Sequence, residues 1–162
     1  MRKLVHAAAA ATLLLSSTAC QNALGDDYGP MTGTWKVTIT AFEHIPADPG
    51  TLCDVETTYV IRQVGNEMEG RSTPAVAHCA NPATGRSFDV EKFSGVVRGP
   101  VEDGRIDVSD YGDWHCIAEL NPTRIVGYME SYGGIVGQER VVRSGTCVLE
   151  KISDQGYDGP EA

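Results

Sequence analysis

A chain of 162 residues with a formal charge of −9 and 41% hydrophobic residues has room for one ordinary domain with its own core. Its acidity repels phosphate backbones and anionic headgroups, which excludes nucleic acid as a direct partner. Eighteen glycines and eight prolines suit a fold of many short strands and turns.

The N-terminus reads as an export signal. Arg2 and Lys3 form a positive region, and Val5 to Leu15 is a mainly apolar run of the ~7–15 residues expected of a signal core. A membrane-spanning helix needs ~20. Small residues close the run, from Ser16 to Ala19, and Cys20 follows. Leu-Ser-Ser-Thr-Ala-Cys resembles the lipobox of bacterial lipoproteins, whose cysteine carries diacylglycerol; Ala19 and Cys20 match, and Ser17 departs from the usual leucine. The resemblance implies removal of residues 1–19, a lipid on Cys20 and a membrane partner. Gln21 after the cysteine, by likeness to Gram-negative lipoproteins, implies the outer membrane. The alternative is cleavage after Ala19 and secretion in soluble form. Either way, losing Arg2 and Lys3 leaves 11 basic residues against 22 acidic ones.

Residues 20–31, polar and broken by Gly25, Gly29 and Pro30, read as a flexible tether. The domain spans 32–152, and 153–162 reads as a disordered acidic tail. Gly33 to Thr40 opens the domain with a period of two, Trp35, Val37 and Ile39 on one side. Leu52 to Val64 alternates in the same way, Gly65-Asn66 turns the chain, and Met68, Gly70 and Ser72 return. His78 to Arg86 reads as a loop with Asn81-Pro82 and Gly85. Further strands follow: Glu91 to Arg98, a run through Ile106 and Val108, Trp114 to Leu120, Ile125 to Ser131 and Glu139 to Lys151. The turns between them fall at Gly99-Pro100 or Asp103-Gly104, Tyr111-Gly112-Asp113, Asn121-Pro122 and Gly133-Gly134. About eight antiparallel strands in sequence order predict an all-β, closed up-and-down barrel, since closure removes the edges of the sheet. A two-sheet β-sandwich satisfies the same alternation.

Gly33-Thr34-Trp35 resembles the Gly-x-Trp signature on the first strand of lipocalins and related calycin barrels. In that family a basic residue of the last strand packs across the tryptophan. The resemblance gives this role to Lys151, ahead of Arg143, and implies a lipocalin-like barrel. No counterpart of the family's Thr-Asp-Tyr signature is present.

There are five cysteines. If Cys20 is lipidated, Cys53, Cys79, Cys116 and Cys147 suffice for two disulfides. A hairpin centred on Gly65-Asn66 pairs positions that sum to about 131, and a bulge or a three-residue turn would bring Cys53 opposite Cys79. Cys116 and Cys147 are left for each other on strands that are not neighbours, so their bond must cross a barrel end or a bent strand. None of these cysteines shows metal-ligand or redox spacing.

His44, His78 and His115 belong to no metal-binding pattern, and no metal or cofactor is expected. Asp110 to Cys116 is the densest polar cluster. An enzyme reading makes His115 a general base oriented by Asp113 or Asp110; the plainer one points Trp114 into the core and His115 into solvent. No nucleophile elbow or phosphate loop accompanies it, so catalysis, of hydrolase type through His115, ranks third. The leading expectation is a binding protein at the cell envelope, taking a small apolar ligand or a protein partner. A ligand would be lined by Trp35, Val37, Ile39, Tyr59, Ile61, Met68, Phe93 and Met129. The same residues would equally fill a solid core, which makes a purely structural scaffold the alternative.

Overall fold

The structure is a computed structural model, which describes residues 29–43, 49–92, 94–110, 114–135 and 138–159. The leader, Cys20, His44, Phe93 and Tyr111 to Asp113 lie outside the described residues. Ten strand segments follow one another in the described chain: β1 (Gly33–Glu43), β2 (Leu52–Val64), β3 (Glu67–Ser72), β4 (Ala75–Asn81), β5 (Arg86–Lys92), β6 (Val96–Glu102), β7 (Arg105–Asp110), β8 (Trp114–Glu119), β9 (Arg124–Ile135) and β10 (Gln138–Ser153).

Alternation fixes the face of each. Strands β1 and β2 bury every second residue: Trp35, Val37 and Ile39 on one, Cys53, Val55, Thr57, Tyr59, Ile61 and Gln63 on the other. Ten segments make eight barrel strands because two strands are interrupted at the same level. β3 and β4 both run antiparallel to β2, offset by one residue where Thr73 and Pro74 bulge out. Thr57 and Thr58 satisfy that bulge, with Thr57 Oγ1 donating to the Thr73 carbonyl at 2.9 Å and the Thr58 amide donating to Thr73 Oγ1 at 3.1 Å. β5 and β6 are likewise two parts of one strand. They pair with β4 and β3 in unbroken register, and the Ser72 amide donates to the Gly95 carbonyl between them.

The ring runs β1-β10-β9-β8-β7-β6-β3-β2 and closes by the β1–β2 pairing. This is the expected closed, eight-stranded antiparallel barrel. The seam is β1 against β10, with Trp35 opposite Lys151. Gly145 (φ 68°) marks a bulge in β10, and Ala41 (φ 53°) sits at the neighbouring bulge of β1. A Cβ on Gly145 would lie 2.2 Å from the Thr40 carbonyl oxygen, so only glycine lets the two strands approach there.

One expectation needs correction. Residues 78–86 are not a loop: β4 continues to Asn81, β5 begins at Arg86, and only four residues turn between them. Residues just before 32 also contact the barrel. Met31 is fully buried, and Gly29 to Thr32 are tied to buried Gln63, whose Oε1 accepts from the Met31 amide at 3.0 Å. Gln155 and Tyr157 contact it as well. Thr34 Oγ1 donates to the Gln155 carbonyl at 2.8 Å, and Arg71 Nε donates to the Tyr157 hydroxyl at 3.1 Å.

Candidate functional site

Call the end where β1 leaves and β2 enters the upper end. The lower end is sealed. Trp35 Nε1 donates to the Met31 carbonyl at 2.9 Å, and Lys151 lies over the Trp35 ring with Nζ 5.6 Å from its centroid. The basic residue assigned to this place by resemblance occupies it. Arg143 instead lies over Tyr128, 3.3 Å from the ring centroid.

Above the seal the interior is packed. Of the residues named as a possible ligand lining, Trp35, Val37, Ile39, Tyr59, Ile61, Met68 and Met129 are all at most 3% exposed and join one core cluster with Val97, Ile106, Ile125 and Leu149. Phe93 lies outside the described residues. Both disulfides are buried with them. Cys53 and Cys79 are direct cross-strand partners with Cα atoms 4.0 Å apart. Cys116 and Cys147 are bonded across the inner face of β9, their Cα atoms 6.0 Å apart. The bond passes over the backbone of Tyr128, whose carbonyl oxygen is 3.5 Å from Cys147 Sγ and whose side chain points outward. Neither a barrel end nor a bent strand is needed, because a small barrel curves tightly enough to bring alternate strands together.

At the level where β3 and β5 break off, the core turns polar. Lys92 and Asp110 form an ion pair whose side chains are 4% and 1% exposed. Ser72 Oγ donates to Asp110 Oδ1 at 3.3 Å and accepts from the Gly95 amide at 2.9 Å. Burial pushes the Tyr59 hydroxyl well above its ordinary pKa, and the charge and hydrogen bond of Asp110 push it the same way. Lys92 Nζ also lies 5.7 Å from the Tyr59 ring centroid and 6.0 Å from that of Trp114. The sequence reading missed this pair. Its signal was parity: Lys92 continues the inward series Phe88, Val90, and Asp110 continues Ile106, Val108.

Beyond this waist the wall is incomplete. Strand β7 ends at Asp110, level with β6, so nothing among the described residues flanks β5 on the side away from β4. The inward face of this upper arm carries Phe88, 37% exposed, and half-buried Val90, beside the Cys53–Cys79 bond. Phe42 and Trp114 pack at 4.6 Å between ring centroids at the upper end of the core.

His115 lies on the outer wall, as the plainer reading had it. Its Nδ1 lies 2.7 Å from Asp107 Oδ1, and Asp110 faces inward to Lys92; Asp113 lies outside the described residues. Tyr132 packs against the imidazole at 4.6 Å between ring centroids and donates to Glu130 at 2.9 Å, which raises its pKa to about 12. His78 is paired with Asp89 at 2.8 Å on a different wall. The described residues hold no cluster of three or more His, Cys, Asp or Glu able to bind a metal.

Comparison of the chain with protein-family models, with curated proteins and with solved structures gives no match.

Proposed function

We propose that the chain is an exported, envelope-tethered binding module that holds a protein partner at its upper end, with the lipid on Cys20 as its link to the outer membrane. Two buried disulfides suit an oxidising compartment. One observation carries the partner reading: no strand among the described residues flanks β5 on the side away from β4, where exposed Phe88 and half-buried Val90 lie, while buried side chains make up the core below. A packed interior leaves the positions named for a small apolar ligand occupied by one another, so an uncovered strand edge with apolar side chains is the better docking feature.

Crosslinking in intact cells tests it. A photo-reactive residue in place of Phe88 gives a discrete adduct with another protein, and one in place of Val126, more exposed than Phe88 and on β9, does not. Adducts of equal yield at both positions, or none at 88, reject the reading. The small-ligand reading has its own signature: a co-purifying apolar molecule in native mass spectrometry and a shift of Trp114 fluorescence when it is stripped.

A further inference from the structure

The open side of β5 fixes more than a place for a partner; it fixes the partner's shape and charge. In an antiparallel ladder the closely spaced residue pairs, about 4.5 Å between Cα atoms, are those without mutual hydrogen bonds, and the bonded pairs are wider at about 5.5 Å. Cys53 and Cys79 are 4.0 Å apart and so form a non-bonded pair. The backbone groups of Cys79 therefore turn away from β2 toward β5, where its partner is Phe88. By alternation the N–H and C=O groups of Arg86, Phe88, Val90 and Lys92 face β4. Those of Ser87, Asp89 and Glu91 face the open side, with no backbone partner among the described residues.

The side chains at these same three positions point outward and are exposed, and two of them are acidic. Asp89 holds exposed His78 at 2.8 Å on this outer face. A second copy of the chain added at this edge would set Asp89 against Asp89, or Asp89 against Glu91, and like charges directly opposite destabilise a sheet. Self-pairing is thus opposed by the strand's own charges, while a cationic strand is drawn to them.

Resting on the partner-binding reading above, we propose that β5 is a strand-addition site for an extended segment of another protein. That segment carries lysine or arginine at alternate positions, opposite Asp89 and Glu91, and apolar residues between them that turn inward beside Phe88 and Val90. Main-chain bonds to Ser87, Asp89 and Glu91 supply the affinity, and the alternation supplies selectivity.

The probe is a blocked heptapeptide of alternating lysine and valine, added to the full domain. Amide hydrogen exchange at single-residue resolution is the readout. Binding protects the amides of Ser87, Asp89 and Glu91 and leaves those of Phe88 and Val90, already bonded to β4, unchanged. A peptide with N-methyl groups on the bonding edge binds at least about tenfold more weakly. Replacing lysine by glutamate weakens binding about tenfold, and the double variant Asp89→Lys, Glu91→Lys reverses that preference. Protection spread evenly along β5, unaltered affinity after N-methylation, or protection at the three amides that grows with protein concentration without peptide would overturn the proposal; the last result would mean self-pairing. If the crosslink at position 88 forms in cells and the three-amide pattern is absent, the partner reading survives and the strand-addition site does not.

Discussion

At the lower end each strand has a neighbour on both sides, and the first and last strands are locked by Trp35, Lys151 and Met31. At the upper end β5 runs past the last residue of β7 and has no strand on its second side among the described residues. Both ends are made of the same alternating ribbon. What separates them is length: β7 and β8 have six residues each, whereas β2, β9 and β10 have 13, 12 and 16. A barrel with unequal staves is closed only up to the height of the shortest.

The sharpest way to break this comparison is at the waist that divides the two ends. Asp110→Ala leaves Lys92 charged and buried, and should cost about 3–5 kcal/mol in urea unfolding. The double variant Lys92→Met, Asp110→Leu should recover most of that. A single variant that loses less than about 1 kcal/mol would show that water reaches the pair.

The disulfides come next. They close loops of similar length, with sequence separations of 26 and 31, so replacing either pair by alanine should cost about 3–4 kcal/mol. They differ in where local opening appears. Loss of Cys53–Cys79 should speed amide exchange in β4 and β5, and loss of Cys116–Cys147 should not. Identical exchange maps for the two variants would contradict an upper arm that opens by itself.

A smaller effect distinguishes the two cation–ring contacts. Lys151→Ala should cost about 1–2 kcal/mol, because it uncaps the buried Trp35 ring, and Arg143→Ala on half-buried Tyr128 at most about 1. Thermal melts of the two variants rank them.

The pH dependence is smaller still near neutrality and appears only in alkali. Tyr59 stays protonated in the folded barrel, whereas the unfolded chain ionises near the ordinary tyrosine pKa of about 10. The folded state then holds the extra proton, so stability is full below about pH 10 and falls as pH climbs above it. Tyr59→Phe should flatten that fall by up to about 1.4 kcal/mol per pH unit. In an ultraviolet titration Tyr132 should ionise at about 12, and Glu130→Gln should bring it back toward 10.

Much of the barrel was legible in the sequence, for definite reasons. Alternation placed Trp35, Val37, Ile39, Tyr59 and Ile61 inside, and the numbering of the Gly65-Asn66 hairpin brought Cys53 to Cys79 through a bulge now located at Thr73 and Pro74. Lys151 met Trp35 because the ends of a closed antiparallel sheet must adjoin. The upper arm was misread. Asn81-Pro82 and Gly85 are true turn residues, but their breaking power was extended to neighbours whose pairing depends on β2, which is distant in sequence. The waist was missed because a charge at an inward position interrupts the apolar alternation by which a buried face is recognised. Asp110 was weighed as a partner for His115, although its parity with Ile106 and Val108 turns it the other way.

The most direct test of the two-ended barrel is amide exchange of the isolated, monomeric domain at neutral pH. The account predicts that the amides of Ser87, Asp89 and Glu91 exchange close to the rate of an open chain, while those of Phe88 and Val90 and of the Trp35–Lys151 seam are strongly protected. Strong protection at Ser87, Asp89 and Glu91 in the monomer would mean that β5 already has a partner and that the upper end is closed.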